Sequence, residues 1–339
     1  MAGRMKDPFG RILNYVRISV TDRCNLRCVY CMPPEGVPWI PHDEIMSYES
    51  ILFLCGVLQD LGVQKVRFTG GEPFVRKDFV PFLGEVRKNF PSLKIALTTN
   101  GTYLERWADE LAALRLESVN ISLDTLDPGK FHSVTRGGDL EDVLRGVEAL
   151  RKTGGVPMKM NMVVMREYNL EEVPSLTEFA LEKGILLRFI EFMPLDREIW
   201  ALPSFVPAEE ILSLLPEGES WKPLPGEEGT ADACGPAREY RSDRRKQTVG
   251  IISAVSDHFC ARCNRLRITS RGLVRPCLFS EFGISILEGL RKKDRERVAR
   301  EILAAAEAKP DRGRTGIPPR GEKRDDERGQ SCRMSRIGG

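Results

Sequence analysis

From residue 13 the chain alternates short β-rich runs with amphipathic stretches. The β-rich runs are NYVRISV (14–20), KVRFT (65–69), KIALTT (94–99), SVNISL (118–123), MKMNMVV (158–164) and ILLRFIEF (185–192). Between them, near 48–61, 79–89, 104–114, 140–152 and 171–183, apolar residues recur at threes and fours. Leu140, Val143, Leu144, Val147 and Leu150 show the period of a helix with one buried face. Six β-α units predict a parallel sheet with helices outside, because parallel neighbours need crossover connections. Two architectures satisfy this pattern, an open doubly wound sheet or a barrel, complete or partial. No repeat is visible beyond the alternation.

The composition changes after residue 193. PEGESWKPLPGEEGTADACGPAREY (216–240) is rich in Pro, Gly and acid, which predicts loop. A cysteine-bearing block follows at about 240–282, then a charged helical pattern near 285–308. The last segment, KPDRGRTGIPPRGEKRDDERGQSCRMSRIGG, is too polar to pack well. The expected divisions are a β/α part at 1–195, a loop-rich linker at 196–239, a C-terminal region at 240–308 closing the β/α part, and a mobile tail at 309–339. A length of 339 residues suits two domains or one large barrel with an appendage.

Charge changes the picture little. Lys and Arg total 51 against 49 Asp and Glu, a formal +2, so an anion site must be a local cluster and nothing predicts a nucleic-acid partner. The nine cysteines say more: the number is odd, and six fall in two tight groups. The start, MAGRMKDPFG, has no apolar signal core, and no run approaches the about 18 apolar residues of a membrane span. Metal ligation in a reducing, cytoplasmic setting is expected, with neither disulfides nor membrane contact. Cys55, inside ILFLCGVLQDLG, reads as a core residue, whereas Cys234 and Cys332 stand alone.

The first group is Cys24-x3-Cys28-x2-Cys31, directly after the first predicted strand. Loops there face the usual active-site side of parallel α/β folds. Thiolates suit zinc or an iron–sulfur cluster. Zinc wants a fourth ligand, and the nearest candidate is His42. A four-iron cluster tolerates three, leaving one iron open to a small molecule. This spacing, with Tyr30 just before Cys31, resembles the radical S-adenosylmethionine (SAM) superfamily, in which a [4Fe-4S] cluster binds SAM and cleaves it to a deoxyadenosyl radical. RFTGGEP (67–73), LTTNG (97–101) and ISLDT (121–125) end the next three strands with Gly and polar residues. Two glycines let the backbone come close to a ligand. The resemblance implies an α/β fold, a partial (βα)6 TIM-type barrel with a C-terminal cluster-binding extension and its active site at the strands' C-terminal mouth.

The second group is Cys260-x2-Cys263-x13-Cys277. With His258 nearby it satisfies a Cys3His zinc site as well as a second open cluster. Arg265 and Arg267 follow in RLRIT, where a strand puts both on one face. Arg17, Arg67, Lys159 and Arg188 fall within other predicted strands. Charges there cannot stay unpaired in a dry interior. Each alone suits an ion pair, and together they suit a pocket for a multiply charged anion.

These features, from DPFGR and CNLRCVYC to RFIEFMP, DHFCARCNRLRITSRGLVRPCLF and SRIGG, resemble the GTP 3′,8-cyclase (MoaA) family of radical SAM enzymes. That resemblance implies a GTP substrate, cyclised between the ribose 3′ carbon and guanine carbon 8 at the first step of molybdenum cofactor biosynthesis. It implies two [4Fe-4S] clusters, on Cys24, Cys28 and Cys31 and on Cys260, Cys263 and Cys277, with SAM lined by Tyr30, Gly71, Ser122 and Met193. GTP would be bound by Arg17, Arg67, Thr98, Lys159, Arg188, Arg265, Leu266 and Arg267, while Gly338 and Gly339 would assist the radical step. The implied partners are an electron donor and a downstream cyclic pyranopterin monophosphate synthase, and the chain would be a monomer or homodimer. Two rival readings are a two-cluster radical SAM enzyme that modifies a peptide, and a zinc-binding module that contacts RNA.

Overall fold

The computed structural model describes residues 4–195, 199, 204–224, 236–280 and 282–312. The six β-rich runs form β1 (Tyr15–Ser19), β2 (Lys65–Thr69), β3 (Lys94–Thr99), β4 (Ser118–Ser122), β5 (Met158–Val164) and β6 (Leu186–Glu191). The amphipathic stretches form α1 (Tyr48–Asp60), α2 (Phe79–Asn89), α3 (Leu104–Ala113), a short α4 (Pro128–Thr135) that the periodicity does not reveal, α5 (Leu140–Thr153) and α6 (Val173–Lys183). Local chemistry sets their ends. At α5, the Asp139 carboxylate accepts from the Glu141 N–H at 2.9 Å, and Gly154 stops the helix at φ +63°.

The C-terminal part adds α7 (Ala208–Ser213), β7 (Trp221–Pro223), β8 (Arg238–Ser242), β9 (Gln247–Ile252), β10 (Arg265–Ile268), β11 (Leu273–Arg275), β12 (Ile284–Ser285), α8 (Leu287–Arg291) and α9 (Arg295–Glu307). Two details differ from the sequence pattern. The stretch expected to be linker carries α7 and β7 and buries Ile211, Leu215 and Trp221 in the main core. The single helical pattern near 285–308 is two helices, because Lys293 turns at φ +52° and Asp294 starts α9 afresh by accepting from the Arg297 N–H at 2.9 Å. The N- and C-terminal parts share one hydrophobic cluster, running from Met5 to Ala306.

All strands join one sheet, in the order β12-β11-β10-β1-β2-β3-β4-β5-β6-β9-β8-β7. The eight from β10 to β9 are parallel neighbours, and β11-β12 and β8-β7 extend the flanks antiparallel. The end strands do not pair, so the barrel is open. β9 lies beside β6 and β10 beside β1, so the 253–264 connection passes from one flank to the other. It also passes from the C-terminal end of the parallel strands to their N-terminal end.

Period-two alternation then sorts the side chains. Val16 and Ile18, Val66 and Phe68, Val119 and Ile121, and Leu187 and Phe189 point outward and are fully buried beneath the helices. The intervening residues face inward and are polar, where a closed barrel would interdigitate Val, Ile and Leu. The opening and the polar lining leave a cavity of about 270 Å³ inside the barrel.

The Gly-Gly after β2 has a specific job. A Cβ on Gly71 would stand 2.3 Å from the Arg23 carbonyl oxygen, and one on Gly70 2.6 Å from that of Thr21. The missing side chains let the first cysteine loop lie directly on this strand end, where the Gly71 and Glu72 N–H groups donate to Thr21 and Arg23 at 2.9 and 2.8 Å. Gly71→Ala should therefore lower stability by about 1–3 kcal/mol through overpacking and lift the loop. Thermal unfolding and thiol-labelling rates of Cys24 and Cys28 check this, with earlier melting and faster labelling expected. Unchanged melting and labelling would show that the contact is not tight.

Candidate functional site

The cavity is bounded by both cysteine groups. Cys24, Cys28 and Cys31 line it from the loop after β1, at the C-terminal end of the parallel strands. Cys260 and Cys263 line it just before β10, at the N-terminal end, and Cys277 joins them just after the antiparallel β11. The site is thus a tube with a thiol trio at each end, and the strands' mouth holds only the first.

The chemistry of the two trios fits clusters. All six cysteines are free and partly accessible. Among the described residues no three His, Cys, Asp or Glu side chains converge on a single-ion position. A four-iron cluster takes each thiolate on a separate iron and so needs no such convergence. Neither histidine considered as a fourth zinc ligand borders the cavity. His42 sits on an exposed turn, and His258 does not line the cavity, its Nδ1 lying 3.0 Å from the Ala254 carbonyl oxygen. Burial raises the Cys24 thiol to about 11, with Asn100 and the Leu26 N–H as polar neighbours. Cys263 behaves oppositely: burial would raise it, but Arg265 and Lys309 outweigh that and bring it to about 6.

Eight cations among the described residues line the cavity: Arg17, Lys65, Arg67, Lys159, Arg188, Arg265, Arg267 and Lys309. Arg267, Arg17 and Arg67 are in register on β10, β1 and β2, side by side on the inner face. Gly250 on β9 makes room for Arg188, whose Cγ would lie 3.0 Å from an added Cβ. Among the described residues two carboxylates line the cavity, and both are engaged elsewhere. Asp124 accepts from the Tyr30 hydroxyl at 2.7 Å and the Val163 N–H at 2.8 Å. Glu191 accepts from the Ala208, Val255 and Ser256 N–H groups at 2.9, 2.8 and 3.0 Å, which ties the connection carrying Cys260 and Cys263 to β6.

This excess of like charge disturbs the groups that share it. Burial, then neighbouring cations, lower Lys159 to about 8 and Arg188 to about 10. Arg17 also falls to about 10, chiefly by burial, although Tyr15 opposes the fall. The Nε of Arg17 and Arg188 and the Oδ1 of Asn120 and Asn161 are buried with no hydrogen-bond partner among the described residues. Such atoms await a polar ligand. Arg67 differs, donating to the Tyr15 hydroxyl at 2.7 Å, to Ser118 Oγ at 3.1 Å and to the Leu97 carbonyl, so much of its capacity holds the barrel together.

Of the residues expected at the site, Tyr30, Gly71, Ser122, Met193, Arg17, Arg67, Thr98, Lys159, Arg188, Arg265 and Arg267 line this one cavity. Leu266 does not. It occupies the outward position between Arg265 and Arg267 and is buried in the helix-side core, leaving only its peptide groups on the strand. Gly338, Gly339, Cys234 and Cys332 lie outside the described residues. Cys55 is a core residue, its thiol pushed up to about 12 by burial. Sequence reasoning missed Tyr15, Lys65, Asn100, Asn120, Asp124, Asn161 and Lys309, which also line the cavity.

A Cys-x3-Cys-x2-Cys loop seated on a Gly-Gly strand end of an open parallel barrel defines the radical SAM class. A model of the radical SAM superfamily matches residues 18–180, and one described as Molybdenum Cofactor Synthesis C matches 185–315. The GTP 3′,8-cyclase of Geobacter sulfurreducens is 42% identical over 307 residues, 90% of this chain and 93% of that protein. The GTP 3′,8-cyclase of Heliobacterium modesticaldum is 43% identical over 309 residues, again 90% and 93%. The chain belongs to the GTP 3′,8-cyclase family. Native anSMEcpe with bound AdoMet shares the fold, with a TM-score of 0.54 at 20% identity over 86% of this chain and 84% of that one.

Tyr15 gives the charge excess a measurable signature. Burial would raise its phenol, but Arg67, Arg17 and Arg265 outweigh that and lower it to about 7. From pH 7 to roughly 10 the unfolded chain keeps this proton and the folded chain does not, so its contribution to stability grows as pH rises and is lost as pH falls through 7. A tyrosinate absorbance titration of the protein without nucleotide should show one phenol ionising near neutrality, absent in Tyr15→Phe. Finding every tyrosine above about 9 would contradict the clustering of cations around it.

Proposed function

We propose that this chain is a GTP 3′,8-cyclase, acting at the first step of molybdenum cofactor biosynthesis with SAM and two [4Fe-4S] clusters. The observation that carries the reading is a single tube with a thiol trio at each end and a lining that holds eight cations among the described residues. A triphosphate supplies the multiple negative charge such a lining needs, and Arg forks match phosphate oxygens. Among the described residues no helix is long and apolar enough to cross a membrane.

Cys24, Cys28 and Cys31 would hold the first cluster and Cys260, Cys263 and Cys277 the second. SAM bound at the first cluster would supply the hydrogen-abstracting radical. The protein's own part is positioning. Tyr30, held by Asp124 at 2.7 Å, fixes the cysteine loop against β4, while Gly71, Ser122 and Met193 line the SAM end. Arg17, Lys159, Arg188, Arg265 and Arg267 hold the triphosphate, so that ribose and base are oriented before any bond changes. In this reading Gly338 and Gly339 assist the radical step. The cyclised nucleotide passes to the downstream cyclic pyranopterin monophosphate synthase, and an electron donor supplies the reducing equivalents.

Anaerobic reconstitution followed by incubation with SAM, GTP and a reductant tests this. The protein should be brown and should yield 5′-deoxyadenosine together with a GTP-derived 3′,8-cyclised nucleotide. Arg265→Ala or Arg267→Ala should weaken GTP binding about tenfold or more, from losing roughly 1.5–3 kcal/mol, and should spare SAM binding. A colourless zinc protein, or SAM cleavage with no nucleotide product, would overturn the assignment.

A further inference from the structure

Lys309 follows α9 and is 3% exposed, yet its ammonium meets no carboxylate among the described residues. It donates to the Arg265 carbonyl at 2.9 Å and the Pro276 carbonyl at 2.7 Å, and stands 3.5 Å from Cys263 Sγ. Those three partners exhaust the three N–H groups of an ammonium. None is left for a nucleotide, although Lys309 borders the cavity. The carbonyls belong to the two separate segments that carry Cys263 and Cys277. One buried cation therefore bridges both halves of the second trio, and the thiolates of Cys263 and Cys277 are its negative neighbours.

A buried charge without a counter-ion is costly, so this lysine is placed for an anion at the trio. Its own position is secured by the N-terminal segment. The Arg11 guanidinium donates to the Pro310 and Asp311 carbonyls at 2.6 and 3.0 Å and to the Cys260 carbonyl at 2.7 Å. Asp7 holds Arg11 in turn, accepting from its Nε and, at 2.9 Å, from its backbone N–H. Arg11 thus fastens the Lys309 segment to the loop of the remaining cysteine.

We propose that Lys309, fastened by Arg11, is a positioning residue for the second cluster, gathering its three cysteine segments and supplying the fixed positive charge that makes this cluster easier to reduce. The proposal rests on the two-cluster reading above. A nearby positive charge favours the more negative, reduced state, so its removal makes the potential more negative.

The test uses the full-length chain carrying Cys24→Ala, Cys28→Ala and Cys31→Ala, in which only the second cluster can load. Iron and sulfide content, an EPR-monitored redox titration and GTP affinity are measured in this parent and with Lys309→Met, Lys309→Gln, Lys309→Arg or Arg11→Met added. Lys309→Met should lose iron, and the cluster that remains should have a more negative potential. Lys309→Gln, which can donate without charge, should load better than Met yet keep the more negative potential, and Lys309→Arg should restore the potential toward the parent. Arg11→Met should lose iron as Lys309→Met does. Should Lys309→Met fail to fold by circular dichroism, the Gln and Arg pair decides. Equal potentials in parent and Gln variant, or a loss of GTP affinity with iron and potential unchanged, would overturn the proposal. A parent that binds zinc or no iron would instead sink the two-cluster reading, and the proposal with it.

Discussion

Burying like charges together is the constraint on which this structure turns. Among the described residues eight cations line one cavity against two carboxylates, each already accepting hydrogen bonds from other segments of the chain. A charge taken out of water must meet an opposite charge or shift its titration, and Lys159, Arg17 and Arg188 all shift in that direction. The fold bears the strain because its cohesion lies elsewhere. The hydrophobic cluster is on the outer face of the sheet, under the helices, so the inner face is released from packing and given to polar groups.

Topology supplies the rest. An open barrel admits a second set of ligands that a closed one would exclude; the 253–264 connection delivers two of them by crossing between flanks, and the third follows β11. Glu191 anchors the start of that connection at β6, and Lys309 with Arg11 anchors its end beside β10. The trios consequently face each other along the tube. A nucleotide triphosphate of the kind proposed would lie between them, its charge meeting the lining.

Much of this was legible in the chain. The six β-α units followed from periodicity, and the two trios from cysteine spacing. The inner cations showed as Arg and Lys set among Val, Ile and Phe. What escaped has physical reasons. Tyr15, Lys65 and Asn161 are each two residues from a recognised inner residue, so carrying the alternation one step further would have found them. The same step turns the Leu266 side chain outward, between two inner arginines. Gly70 and Gly71 read as room for a ligand, but the space first accommodates the Thr21 and Arg23 backbone, a contact set by tertiary packing alone. Lys309 gave no local signal, because its significance depends on segments far away in the chain.

Calorimetric binding of GTP, guanosine and inorganic tripolyphosphate to the reconstituted chain, at low and high salt, tests most directly whether the inner cations exist for a polyanion. GTP and tripolyphosphate should both bind, with affinities that weaken as salt rises, and GTP should bind more tightly because its base adds contacts. Guanosine should bind far more weakly than either. Guanosine binding as tightly as GTP, with no salt dependence, would contradict the assignment of the charged lining to the phosphates.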